Sequence, residues 1–295
     1  MMTKISIIIL TYNHENFISE NLKGVLMQQV EAEVELIICD DHSNDKTATI
    51  VAETIKDVPN NFEVRFFQQP DNLGATPNFY FALEKVTGDY VAFCEGDDYW
   101  TDPKKLQIQL DFLQNNTEYS LCFHTAVNIS NVVEVNESLF SKVEDREYSA
   151  AEIYKHWIIH TATVMLRAEV LQSEAKKRTM KRNDLQYFDT ILFLAASSIG
   201  KIRGIPRKMS AYRRHEAGLS AGKINFSRDL KHNQLDKIIG EYYGGEIKKL
   251  SDWHIFSRSD LNFQLLIKEN KIISALKFLP WLLRNRIFIY AWKKK

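Results

Sequence analysis

The chain has 295 residues, 45% of them hydrophobic and 26% charged, an ordinary globular composition with room for one catalytic domain and an appendage. Lysine plus arginine and aspartate plus glutamate both number 38, so no overall charge draws the protein toward nucleic acid. Three scattered cysteines, Cys39, Cys94 and Cys122, supply neither a disulfide framework nor metal-ligand spacing, and read as buried strand thiols.

Residues 1–10 lack the basic leader and small-residue cleavage site of a signal peptide. No stretch reaches the ~18 uninterrupted apolar residues of a membrane span. The expected location is therefore the cytosol, or the inner face of a membrane.

In chain order, residues 4–10 (KISIIIL) predict a strand buried on both faces. Residues 15–29 predict a helix, 34–39 (VELIIC) a second strand and 46–56 a second helix. Residues 63–68 predict a strand, 78–86 a helix and 90–94 (YVAFC) a fourth strand. Alternating strands and helices at this spacing mean parallel strands with crossover helices, hence one α/β unit. Asp102-Pro103 is a helix-start signature for residues 104–115. A strand near 120–123 follows, then loops and a short helix over 128–156. Strands at 163–166 and 201–205 flank a helix at 185–198, and the chain beyond 222 is helical. The expected domains are a catalytic 1–222 and a helical, basic extension 223–295.

In an open parallel sheet, ligands bind outside the carboxyl ends of the strands. Those ends carry Thr11-Tyr12-Asn13, Asp40-Asp41, the loop Asn72-Leu73-Gly74, and Glu95-Gly96-Asp97-Asp98. Carboxylates packed this closely repel unless a cation neutralises them, and hard oxygen ligands suit Mg²⁺ or Mn²⁺ with a diphosphate completing the shell. Neither GxGxxG nor GxxxxGK[ST] is present, so dinucleotide and P-loop phosphate cradles are excluded.

The runs IIILTYN (7–13), DDHSND (40–45), NLGATPN (72–78) and GDYVAFCEGDDYW (88–100) resemble the successive motifs of the family-2 glycosyltransferases, over roughly residues 4–215. The resemblance implies a GT-A fold, with a Rossmann-like, mostly parallel sheet flanked by helices. It also implies a nucleotide-sugar donor, read here as a UDP-sugar, a divalent metal, and inversion at the anomeric carbon. Carried onto this chain, Tyr12 flanks the base, with Thr11 and Asn13 beside it, and Asp41 with Asp40 bonds the base edge. Asn72, Gly74 and Asn78 line the donor pocket. The acidic motif is Glu95-Gly96-Asp97-Asp98, whose first position is Glu rather than the commoner Asp; Asp97 is the metal ligand, with Glu95 and Asp98 on the donor side.

Counting back from Gly200-Lys201-Ile202, the catalytic base implied by the resemblance is Asp189, preceded here by Phe188. Asp184 competes, and a helix cap is the alternative for either. Tyr212-Arg213-Arg214-His215 resembles the segment whose His215 reaches the metal or diphosphate, and Arg213 or Arg214 suits phosphate oxygens. His160-Thr161 faces the acceptor or is simply polar at a strand start. Trp100 offers a face to a pyranose or packs in the core. His14 and His124 receive no role.

Residues 271–295 contain no acidic residue. They interleave Lys271, Lys277, Arg284, Arg286 and Lys293, Lys294 and Lys295 with aromatic and aliphatic side chains, and Pro280 kinks the run. This reads as an interfacial helix on an anionic membrane surface, or as a terminal helix with a solvated basic face. The implied function is transfer to a glycan or lipid-linked acceptor in surface-polysaccharide or glycolipid assembly. A sugar nucleotidyltransferase would open with a glycine-rich loop, which residues 11–15 lack. A catalytically silent binding subunit is favoured only by the Phe188-Asp189 departure.

Overall fold

The isoleucine run at the start of the chain forms β1 (Lys4–Thr11), with Ile5, Ile7, Ile8 and Ile9 all buried. Branched side chains on both faces suit a strand covered on both sides. The computed structural model describes residues 2–130, 138–180, 188–215, 218 and 225–284. After β1 come α1 (Ile18–Leu26), β2 (Glu33–Asp40), α2 (Thr47–Thr54), β3 (Phe62–Gln68), α3 (Ala75–Glu84) and β4 (Tyr90–Phe93). β1 pairs in parallel with β2 and β4, and β2 with β3, as the βα alternation predicts. Ile18, Leu22 and Val25 of α1 share one core cluster with Ile5, Ile7, Ile9, Leu36 and Ile38.

The chain continues through β5 (Tyr99–Trp100), α4 (Lys105–Asn115), β6 (Tyr119–Ser130), β7 (Ser138–Leu139), α5 (Ala150–Lys155), β8 (Met165–Arg167), α6 (Glu174–Thr179), α7 (Phe188–Ser197) and β9 (Lys201–Arg214). The described strands form one mixed, mostly parallel sheet in the order β3-β2-β1-β4-β8-β6-β9-β5, with β7 on β6. β8 is antiparallel to β4 and β6, and β5 is antiparallel to β9. β6 and β9 are longer than their apolar cores suggest. They pair in parallel with register shifts and carry each other past their buried segments to Ser130 and Arg214. α4 is capped by Lys104 rather than Asp102, whose carboxylate instead accepts from Lys104 N at 2.9 Å in the turn before the helix.

The described residues fall into two compact units, one within Met1–Lys176 and Leu192–Ala221, the other within Lys177–Ile191 and Gly222–Lys295. In the second, α8 (Phe226–Tyr243) and α9 (Gly245–Lys268) form a hairpin that turns at Gly244, where φ is 65°. Arg258 bridges the two helices to Asp236 at 2.8 Å, and Asn233 donates to Ser259 at 2.8 Å. α10 (Ile272–Leu276) and α11 (Leu279–Arg284) complete the helical extension. Ala275, and Phe278 just beyond α10, pack with Leu266, Phe226, Leu230 and Phe263. Among the described residues no helix is long and apolar enough to cross a membrane.

The three cysteines are buried and free, as expected. Trp100 is 1% exposed and its Nε1 donates to Ala162 O at 2.9 Å, so it belongs to the core and has no face for a sugar. Lys105 Nζ lies 3.9 Å over its ring, fully buried and without a hydrogen-bond partner among the described residues. Burial pushes the Lys105 pKa down to about 7, against an ordinary 10.5. Between those values the unfolded chain binds a proton that the folded chain does not, so stability rises with pH across that window. Replacing the amine by an apolar chain removes the term. Lys105→Met should therefore stabilise the protein at pH 7 by about 1 kcal/mol or more. Urea unfolding at pH 7, 8 and 9 should show a flatter pH slope for the variant; parallel slopes would mean that Lys105 keeps its charge.

Candidate active site at the carboxyl ends of the strands

The acidic turn after β4 is fixed from two sides. From α1, the buried Asn21 donates its amide to Glu95 O at 2.7 Å and to Asp98 O at 2.9 Å. From β9, Arg213 N donates to Asp98 Oδ1 at 2.8 Å, and Arg213 Nε to Asp97 O at 3.0 Å. The Arg213 guanidinium also pairs with Glu20 and packs over the Phe17 and Tyr99 rings, at 5.0 and 5.3 Å. The pairing of β5 with β9, Tyr99 opposite Ala211, brings these distant segments together.

Two groups of side chains meet on this turn. Asp97 Oδ2 lies 3.0 Å from His215 Nε2 and 4.0 Å from His14 Nε2. Asp98 Oδ2 lies 3.4 Å from His160 Nε2, and Glu95, Asp98 and His160 each place a ligand atom within 4.8 Å of the others. The turn is close-packed. A Cβ on Gly96 would lie 2.8 Å from both Thr11 Oγ1 and His14 Nδ1, so only glycine lets the chain pass. Those two buried atoms have no hydrogen-bond partner among the described residues. His14 was invisible in the sequence because its ligand-like position depends on the fold, not on spacing.

The carboxylates differ electrostatically. Burial opposes ionisation of Asp97, but the bond from His215 and the charge of His14 prevail and hold its pKa below the ordinary value. Burial, with the charges of Asp97 and Glu95, pushes Asp98 well above its own. Burial lowers His160 to about 4, so the ring is neutral. Its Nδ1 accepts from Ala162 N at 3.2 Å, which leaves the ring proton on Nε2, the atom facing Asp98.

The loops that follow β1, β2 and β3 are tied to each other. Asn13, at φ 54°, takes a bond from Asn44 N and donates its own N–H to Ser43 Oγ, each at 2.9 Å. Asp40 is buried and accepts from Ser43 N at 3.0 Å. Both Asp41 oxygens hold the next loop, accepting from Leu73 N at 2.8 Å and Gly74 N at 2.9 Å, while Asn72 donates to Asp41 O. Gly74 has φ 88°, a conformation for which glycine is suited. Asn78 is buried, bridging Cys39 O and Gln69 at 3.1 Å each. Tyr12 is 41% exposed beside these loops.

Asp189 is buried in the first turn of α7, its Oδ1 accepting from Thr190 N at 2.8 Å. Asp184 lies outside the described residues, as do Arg286 and Lys293, Lys294 and Lys295. His124 is buried, with Nδ1 3.0 Å from Thr125 O.

The sheet order and the acidic turn at its carboxyl edge are those of a glycosyltransferase-type α/β fold. Residues 6–173, more than half of the chain, match Glycosyl transferase family 2, and the chain belongs to that family. The Mycobacterium tuberculosis uncharacterized protein Rv1520 is 34% identical over 215 residues, 72% of this chain and 60% of that protein. The chain thus spans about three-fifths of that relative's length. Among solved structures, S. aureus TarS 1-349 in complex with UDP-GlcNAc superposes with a TM-score of 0.67 at 18% identity. That match covers 96% of this chain and 79% of that one. The mannosyltransferase PcManGT from Pyrobaculum calidifontis, in complex with GDP-Man and Mn²⁺, gives 0.57 at 13% identity, covering 100% and 87%. At these identities the likeness is one of fold.

Asp41 gives the site its sharpest structural test. An asparagine keeps one acceptor oxygen but turns an NH₂ toward a backbone N–H. Asp41→Asn should cost about 1–3 kcal/mol, and the Leu73 and Gly74 amides should exchange with deuterium faster. Unchanged exchange at both would mean that the carboxylate does not hold this loop.

Proposed function

We propose that the protein is an inverting glycosyltransferase that moves a sugar from a nucleotide-diphosphate donor, a UDP-sugar in this reading, to a hydroxyl of a glycan or lipid-linked acceptor. The observation that carries this is the gathering of Glu95, Asp97 and Asp98 with three imidazoles at the carboxyl end of β4, in a chain of this family. Surface-polysaccharide or glycolipid assembly is the setting we assign to it. The nucleotide sugars named for the two similar structures support the donor class.

The residues of the turn fit a divalent cation. Burial, with the charges of the two neighbouring carboxylates Asp97 and Glu95, drives Asp98 toward its protonated form, and a cation would relieve that repulsion. We assign Asp97 and His215 as the residues that would hold Mg²⁺ or Mn²⁺, with Glu95 and Asp98 completing the acidic surroundings. His160 is the weaker candidate as a ligand through Nε2, because Ala162 N–H on Nδ1 keeps the proton on that atom. When bound, the cation supplies positive charge for the departing nucleoside diphosphate.

The chain's own residues do the rest. Tyr12 offers a ring to the base, and Thr11, Asn13, Asp40, Asp41, Asn72, Gly74 and Asn78 shape the donor loops. Arg213 holds the acidic turn in place and adds positive charge beside it. In this scheme Asp189 takes the proton from the acceptor hydroxyl as that oxygen attacks the anomeric carbon.

The exposed face of α10 supports a peripheral membrane role. Ile272, Ile273 and Leu276 are 58%, 82% and 51% exposed, between Lys271 and Lys277. The opposite side of the segment, Ala275 and Phe278, is buried. Apolar side chains among lysines suit an anionic lipid surface. Ile272→Glu with Ile273→Glu in the full chain should abolish sedimentation with phosphatidylglycerol vesicles at low salt. Equal sedimentation of variant and parent would sink this part of the proposal.

Donor binding and chemistry separate in a second experiment. Asp97→Ala should lose metal-dependent binding of the nucleotide sugar and turnover together. Asp189→Asn keeps the shape but cannot take the proton, so turnover should fall by roughly 10²–10⁴ while donor affinity stays near that of the parent. Release of free nucleoside diphosphate is the readout. If Asp184→Asn is the crippled variant and Asp189→Asn the active one, the base is Asp184.

A further inference from the structure

The acidic turn has a second neighbour besides the donor loops. The His160 ring, whose Nε2 lies 3.4 Å from Asp98, packs against Tyr212 with centroids 4.4 Å apart. Phe140 meets both, at 5.0 Å from His160 and 5.4 Å from Tyr212. Trp157 stands edge-to-face on Phe140 at 5.2 Å and 83°. His160 is 6% exposed and Trp157 51%, so the stack runs outward from a buried carboxylate to solvent.

A single exposed apolar residue carries little meaning. Trp157 differs because it is braced. Ser141 Oγ donates to Ile158 O at 2.6 Å, tying the segment after α5 to the one that carries Phe140. At the inner end, Thr163 Oγ1 donates to His160 O at 2.6 Å. A large aromatic surface held in place ahead of any ligand binds without a further ordering cost. Its chemistry is that of a flat apolar face with an indole N–H donor at the edge, which matches the apolar C–H face and hydroxyl rim of a pyranose.

We propose that Trp157, backed by Phe140, is the platform on which a pyranose ring of the acceptor stacks. The acceptor class is then a glycan or glycoside, not a peptide side chain or a simple alcohol. The inference rests on the transferase reading above and specifies the acceptor for it. Only two ring contacts separate Trp157 from His160, and His160 touches Asp98. The stacked ring is therefore the accepting sugar or its immediate neighbour.

The test is saturation-transfer NMR on the full-length protein with methyl β-D-glucopyranoside, methyl β-D-galactopyranoside and methyl N-acetyl-β-D-glucosaminide as probes. At least one should receive saturation, strongest on the axial C–H protons of one ring face. Trp157→Ala should weaken binding by about tenfold, and Trp157→Phe should restore most of it. Thermal melting of both variants checks folding. UDP binding on the same samples reports on the transferase reading separately, so a failure of one is not a failure of the other. Equal saturation in parent and Trp157→Ala, or none from any probe in the parent, overturns the platform. So would a self-association, seen by sedimentation velocity, that Trp157→Ala abolishes, because the ring would then be an interface between copies.

Discussion

The structure depends on one backbone hydrogen bond, from Arg213 N–H to the carboxylate of Asp98. Without that donor, the buried Asp98 side chain, already pushed toward its protonated form by burial and by Asp97 and Glu95, would lose this main-chain partner. The bond exists because β9 runs on past its apolar core and pairs with β5. Asn21 of α1 completes the clamp by taking the carbonyls of the same turn. The two clamps act on backbone and on Asp98. Asp97 Oδ2 lies 3.0 Å from His215 Nε2 and 4.0 Å from His14 Nε2, and its side chain is 21% exposed.

That arrangement was half legible in the sequence. β1, β2 and β4 could be read from their apolar runs, because a strand buried on both faces needs little else. The acidic cluster could be read because charge after such a run stands out. β5 could not, since two residues have no period, and neither could the reach of β9, whose last residues are held by pairing partners far along the chain. For the same reason Trp100 was open to two readings, and burial against Lys105 and Ala162 decides for the core. Asp41 shows a subtler limit. Its type and position after β2 were visible, but not that both its oxygens are already engaged by the Leu73 and Gly74 amides.

Histidines show the same division. His215 could be placed by its motif, and it does lie on Asp97. His14 and His160 reach the turn from segments separated by almost half the chain, and no spacing rule connects them to it. The tautomer of His160 then separates it chemically from His215. One imidazole has its far nitrogen occupied by a backbone N–H and must present a proton to Asp98. Residues of one type at one turn thus have different capacities, set by a single main-chain contact.

The two sides of the turn are built from different materials, and this bears on what each can recognise. The loops that follow β1, β2 and β3 are cross-linked by side-chain bonds to main-chain N–H groups, Asn13 to Asn44, Asp40 to Ser43, Asp41 to Leu73 and Gly74. Such bonds fix loop shape with few residue types and leave little room for variation. The other side is a stack of rings, each touching the next through surfaces that tolerate change in size and tilt. A rigid polar frame suits a constant ligand part, such as a nucleoside diphosphate. An aromatic surface open to solvent suits the part that varies. Under the proposed function, acceptor specificity is therefore to be sought where the sequence motifs end, on Phe140 and Trp157, rather than among the motif residues.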